Sequence, residues 1–309
     1  MGRKHTDPRR RRSQPSRAKA AKPKLRQPSA PDSNTPVLDA EKLKALYAMV
    51  LKCRLVGEKL RRLAGDSVSA PGQEAAIVGT AMHLHSGDFI APSRSMFLAS
   101  HVQGAPLTEI LAHLHRTAAH SARKEPASPN AYGLPLPSLS SAAQFSVGAS
   151  AALSFKLQNR LAVALALVED DATLPGFWHQ PVGFASAHRL PIVFTICTSP
   201  ESPVLRDQAN SLGLPGITVD GHDLVAVYRV AQECVRRARQ GHGPCLIECK
   251  IDRGNPQAAP GISSTRDPVA FMEEYLNTRK LWSSVWKQRL VALLDKEWRA
   301  AENTAAARH

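Results

Sequence analysis

The chain has 309 residues, 43% of them hydrophobic and only 5% aromatic, with a formal net charge of +14. That length supports one large domain or two small ones around a mostly aliphatic core, and the lack of any run of eighteen apolar residues argues against a membrane-spanning helix. Five cysteines (Cys53, Cys197, Cys234, Cys245 and Cys249), an odd number without a CxxC spacing, argue against a disulfide framework and suit reduced thiols in the cytoplasm.

Residues 1–36 carry eleven Lys and Arg against two Asp, so +9 of the net charge lies there. Six prolines and almost no large apolar residue accompany it. Such a segment cannot bury enough surface to offset the entropy of ordering, and residues 1–37 are expected to form a disordered basic tail. It could meet nucleic acid or an acidic partner through counterion release, but it has no aromatic residue for base stacking. A solvated, solubilising tail is the plainer reading. No apolar stretch of a secretory signal is present, and the proline-flanked arginines at 9–12 do not make the amphipathic helix of a mitochondrial presequence.

Order is expected from about Leu38, in one domain over 38–309 that ends in a helix. Asp39 suits a helix N-cap, and Leu43, Leu46, Tyr47, Val50 and Leu51 follow helical spacing, continued to Gly65. Residues 74–85 and 107–115 read as further helices. The small-residue run at 143–157 suits a helix packed closely on a sheet. Residues 161–168 read as a buried strand, with a helix over 183–188 after it. Residues 191–197 are a second strand, 216–219 a short extended piece, and 223–240 a helix. Residues 244–251 form a last strand with Cys245, Ile247 and Cys249 on one face, a core placement for these thiols. One final helix is expected from 270 to about 301. Strands alternating with helices indicate an α/β fold, a doubly wound, mostly parallel sheet flanked by helices.

Ligands of such sheets sit at the carboxyl ends of strands. Two candidate sites fall there. The strand at 161–168 runs into three carboxylates, Glu169, Asp170 and Asp171, and the strand at 191–197 runs into Thr198 and Ser199. Arg94 lies in the segment GDFIAPSRS, residues 87–95. Gln73 and Glu74 read as structural, His179 as a packed or solvated side chain beside Trp178, and Asp220 as a turn residue. His83, His85, His113 and His115 have no carboxylate cluster beside them and read as packing or surface residues.

Four stretches carry a family resemblance: PGQEAAIVGTAMHLHSGDFIAPSRS at 71–95, AQFSVGASAAL at 143–153, LPGITVDGHD at 214–223 and GPCLIECKIDR at 243–253. In order and spacing the chain resembles the alpha subunit of thiamine-diphosphate-dependent 2-oxo acid dehydrogenases, of pyruvate or branched-chain type, from about Leu43 to Leu290. The resemblance implies a thiamine-diphosphate-binding fold and oxidative decarboxylation of a 2-oxo acid, with acyl transfer to the lipoyl group of an acyltransferase partner. It implies thiamine diphosphate and Mg2+ as cofactors, and a separate beta-type subunit in a heterotetramer. The activating glutamate belongs to that beta chain, so no catalytic residue is assigned here. By position Asp170 matches the metal-binding aspartate of the family's GDG motif, Ser199 stands where a ligating asparagine is expected, and Arg94 matches a phosphate-binding arginine.

The flanking glycines of that motif are replaced by Glu169 and Asp171, and a second arginine and a histidine by Gln208 and Gln257. A further histidine has no clear counterpart, although His120 lies in its region. The loop after Ser199 is shorter than in the family. A non-catalytic member that keeps the fold and the assembly surface is the alternative expectation, and a nucleic-acid-associated protein anchored by its tail is a third.

Overall fold

Five parallel strands make one sheet in the order β1-β2-β3-β5-β4 in a computed structural model of the chain. It describes residues 1–2, 38–65, 71–119, 140–170, 176–252 and 267–306. Residues 3–37 of the expected tail and the positions Asp171, His120 and Gln257 lie outside the described residues. Every element described below belongs to the compact unit Asp39–His309, distinct from Met1–Leu38.

The strands are β1 (Phe89–Pro92), β2 (Ala164–Glu169), β3 (Ile192–Thr198), β4 (Gly216–Asp220) and β5 (Cys245–Lys250). β2, β3 and β5 are buried on both faces, as a sheet covered on both sides requires, and so read as near-continuous apolar runs. One face carries Ala164, Ala166, Val168, Ile192, Phe194, Ile196 and Leu246 against α5 (Ser141–Leu157) and α6 (His179–Ala187). The small residues of α5 have a clear purpose: a methyl on Gly148 would lie 3.0 Å from the Ala166 methyl and 3.1 Å from Ile192 Cδ1. That close approach brings Phe145 to Phe194, with ring centroids 4.8 Å apart. Burying each such large side chain contributes on the order of 1.5–3 kcal/mol.

Helix α8 (Leu224–Arg239) packs on β3, β4 and β5 and against α2 (Glu74–Ala81). At the α2–α8 crossing a methyl on Gly79 would fall 2.7 Å from Val227 Cγ1, so the helices meet at a residue without a side chain. Asp223 caps α8 rather than lying in it, accepting from Ala226 N at 2.9 Å. All five cysteines are buried free thiols, as expected for Cys245 and Cys249 in the core. Burial raises the Cys53 thiol well above its ordinary range.

The long helix α1 (Ala40–Ala64) begins as expected at Asp39, whose carboxylate accepts from Lys42 N at 2.7 Å. Arg54 on α1 donates to Glu74 of α2 at 2.6 Å and by two bonds, 2.9 and 3.1 Å, to Asp267 at the start of α9 (Pro268–Thr278). Those contacts pin the amino end of α2, next to the sheet edge.

Several boundaries differ from expectation. The helix expected over 74–85 stops at Ala81. Beyond it His83 Nε2 bonds the Tyr228 carbonyl at 2.8 Å and the His85 amide donates to Asp88 at 2.7 Å, contacts that replace further helical turns. β2 begins at Ala164, not 161; Leu161 is exposed and Val163 N donates to Asp88 at 2.8 Å. The single C-terminal helix is two, α9 and α10 (Ser284–Ala306), divided where Lys280 takes a left-handed φ of 58° and Leu281 N bonds back to Leu276 O at 2.9 Å. This is a helix C-cap built without glycine. β1, α3 (Leu98–Gln103) and α7 (Arg206–Ser211) were not anticipated, and α4 (Leu107–Ala119) runs past its expected end at 115.

Candidate functional site

Because all five strands are parallel, their carboxyl ends open on one edge of the sheet. Arg94 begins a 3-10 turn, Arg94–Met96, just past β1 and is exposed. Asp170 follows β2, exposed, with its amide donating to the Cys197 carbonyl of β3 at 2.9 Å. Ser199 follows β3, exposed, with its hydroxyl 3.1 Å from that of Ser202. The registers Pro92↔Leu167 and Glu169↔Cys197 bring the three residues out of adjacent strands at nearly one level. The three candidates therefore share one sheet edge.

Glu169, which replaces a glycine of the expected motif, has its own partners. Its carboxylate accepts from the Ser95 hydroxyl at 2.7 Å and from Gln73 Nε2 at 3.4 Å. Gln73 is fully buried at the start of α2, and its Oε1 has no hydrogen-bond partner among the described residues. Glu74 is structural as expected, held by Arg54 and by the Gly72 amide at 2.8 Å. Gln73 is buried, in keeping with a structural reading, and also contacts the edge residue Glu169.

On the other side of Ser199, a buried carboxylate organises the edge. Glu248 of β5 is fully buried and accepts from Thr198 at 3.2 Å, Thr218 at 2.8 Å and the Leu205 amide at 3.1 Å. It also pairs with Lys250, 2.8 Å away. Burying a carboxylate is tolerated when it is paired and fully hydrogen-bonded, as here. Glu248 and Lys250 escaped the sequence reading; the signal was two charges at alternate positions inside the apolar run CLIECK.

Gln208, in place of the second arginine, lies on α7, and its Oε1 is 3.1 Å from His179 Nε2. The His179 ring is exposed but stacks on Trp178 at 4.2 Å and bonds the Gly176 carbonyl at 2.9 Å, within the packed or solvated placement expected of it. Asp220, read as a turn residue, is the last residue of β4 and caps the turn that follows, accepting from the His222 amide at 3.0 Å. His222 itself is buried at the β4 end, with Nδ1 3.2 Å from Asp220 and Nε2 3.3 Å from the Asp252 carbonyl. His83 packs on Tyr228, with centroids 4.0 Å apart. Burial lowers it to about 4, although its bond to the Tyr228 carbonyl opposes the shift.

No group of three or more His, Cys, Asp or Glu suited to a metal occurs among the described residues. Magnesium is commonly held by one or two carboxylates, with phosphate oxygens and water completing an octahedron. The Asp170 carboxylate and the Ser199 hydroxyl, both hard oxygen donors at neighbouring strand ends, fit that mode. The buried, unpartnered Gln73 Oε1 beside Glu169 leaves an acceptor for a donor from a bound molecule.

A sequence model of the dehydrogenase E1 component family matches residues 45–308, a span that includes Arg94, Asp170 and Ser199. The chain belongs to this family. Among its curated relatives is the pyruvate dehydrogenase E1 component subunit alpha of Staphylococcus epidermidis, 29% identical over 295 residues, which cover 86% of this chain and 78% of the relative. The subunit of the same description from Staphylococcus aureus is 28% identical with the same coverage. The fold is the all-parallel α/β sheet expected of an E1 alpha chain, and the protein resembles the alpha subunit of a 2-oxo acid dehydrogenase over residues 45–308. No helix among the described residues is long and apolar enough to cross a membrane.

Proposed function

We propose that this protein is the alpha subunit of a thiamine-diphosphate-dependent 2-oxo acid dehydrogenase of pyruvate type, acting in the cytoplasm with a beta-type subunit in a heterotetramer. The complex decarboxylates a 2-oxo acid oxidatively and passes the acyl group to a lipoyl-bearing acyltransferase. The observation that carries this reading is the emergence of Arg94, Asp170 and Ser199 from three adjacent parallel strands at one edge, in a chain of the E1 family.

When bound, thiamine diphosphate supplies the electron sink for decarboxylation, and Mg2+ neutralises its diphosphate. The chain's own part is to hold that pair. Asp170 would ligate the metal through its carboxylate and Ser199 through its hydroxyl, after exchanging its bond to Ser202. Arg94, exposed beside them, would neutralise diphosphate charge; its guanidinium forms bidentate bonds to phosphate oxygens well. Glu169 is drawn toward Ser95 and Gln73 by their hydrogen bonds. The beta subunit supplies the activating carboxylate.

Titration calorimetry of the chain assembled with its beta-type subunit tests the reading. Magnesium-dependent binding of thiamine diphosphate, with 2-oxo acid turnover, is expected. No binding in the assembled protein would assign the chain to non-catalytic members of the family.

A further inference from the structure

The turn between β3 and α7, residues 199–205, is mostly exposed and contains two prolines, Pro200 and Pro203. Two charges from one strand hold it. Lys250 Nζ lies 2.7 Å from the Ser202 carbonyl, 3.3 Å from the Ser199 carbonyl and 2.8 Å from Glu248 Oε1. An ammonium has three donors and no acceptor. Three oxygens therefore satisfy it, and none of its donors is left for a diphosphate. At the far end of the turn the Leu205 amide donates to the same Glu248 carboxylate. The pair closes the turn from both ends, and Lys250 faces Thr198 in the β3–β5 register, directly before Ser199.

We propose that Lys250 is a positioning residue for this edge: paired with Glu248, its ammonium fixes the 199–205 turn and so sets Ser199 in place before any divalent cation or diphosphate arrives. The purpose of that placement rests on the function proposed above.

Amide hydrogen exchange across residues 199–205, measured on the full chain without ligand, tests the proposal. The wild-type turn should be protected, with little change on adding Mg2+ and thiamine diphosphate. Lys250→Met leaves Glu248 buried without a counter-charge and could unfold the sheet end. The double variant Glu248→Gln with Lys250→Met removes both charges and keeps the volumes. In it the turn should exchange about tenfold faster at an unchanged thermal midpoint, the scale of one lost charge-assisted bond. Affinity of the assembled protein for thiamine diphosphate with Mg2+ should fall roughly ten- to a hundredfold, as for other residues that orient metal ligands.

Equal exchange in the wild type and the folded double variant would overturn the proposal, and so would faster exchange with unchanged affinity. A wild-type assembly that binds no cofactor would count against the function proposed above; the exchange comparison would still decide whether Lys250 orders the turn.

Discussion

The Glu169 carboxylate accepts a hydrogen bond from the Ser95 hydroxyl at 2.7 Å, joining the end of β2 to the turn after β1. The residue that replaces a small glycine has thus acquired a place of its own, with Gln73 as a second donor. Its negative charge nevertheless stays next to Asp170. As a general scale, two like charges about 5 Å apart repel by roughly 3 kcal/mol at an effective dielectric near 20, and by less where one of them, like Asp170, is exposed to water. Glu169→Gly is therefore expected to tighten binding of thiamine diphosphate with Mg2+ by about tenfold, part of the gain being offset by the added backbone freedom of glycine. Calorimetric dissociation constants of the two proteins check this, and weaker binding in the variant would show that Glu169 supports the site.

Arg54 bridges Glu74, which is nearly fully buried, and Asp267, and so holds α1, α2 and α9 together. Burial favours the neutral form of Asp267, but hydrogen bonds from Arg54 and the Val269 amide prevail and lower its carboxyl below the ordinary range. Removing the guanidinium leaves a buried carboxylate uncompensated, a change that typically costs about 3–5 kcal/mol. Arg54→Met should lower the urea midpoint accordingly. A shift under about 0.5 kcal/mol, the range of ordinary surface substitutions, would mean that Glu74 is well solvated.

His83 gives the fold a pH dependence of defined sign. Burial lowers it from 6.5 to about 4, so the folded chain holds it neutral where the unfolded chain takes up a proton. Its contribution is fully present above pH 6.5 and is lost as pH falls toward 4. Burial lowers His101 in the same direction. Unfolding near pH 5 should therefore take up about one more proton in the wild type than in His83→Gln. Urea midpoints measured across pH 4.5–7 give the slopes; parallel slopes would place His83 in water.

Much of this architecture is legible in the sequence for definite reasons. β2, β3 and β5 are continuous apolar runs because both faces of a parallel sheet are covered, and α8 shows its buried stripe at helical spacing. β1 is not legible: FIAP is four residues long and ends in proline, and pairing with β2 makes it a strand. The break between α9 and α10 carries no glycine or proline to announce it; Lys280 adopts the left-handed turn where Trp282 reaches the Tyr47 hydroxyl at 3.5 Å. At the proposed site, Arg94, Asp170 and Ser199 were singled out through motif kinship and strand ends. Glu169 with Ser95, and Glu248 with Lys250, escaped because each depends on a partner more than 40 residues away or on a loop carbonyl. The local pattern shows at most the two charges inside CLIECK; it does not encode which groups they meet.

The measurement that bears most directly on the function is the affinity of the assembled protein for thiamine diphosphate with and without Mg2+, in the wild type and in Asp170→Ala. The wild type should bind only with the metal, and the variant at least about a hundredfold more weakly, as expected when a charged, metal-coordinating group is lost. Metal-independent binding, or equal binding by both proteins, would contradict the assignment of Asp170 and with it the proposed site.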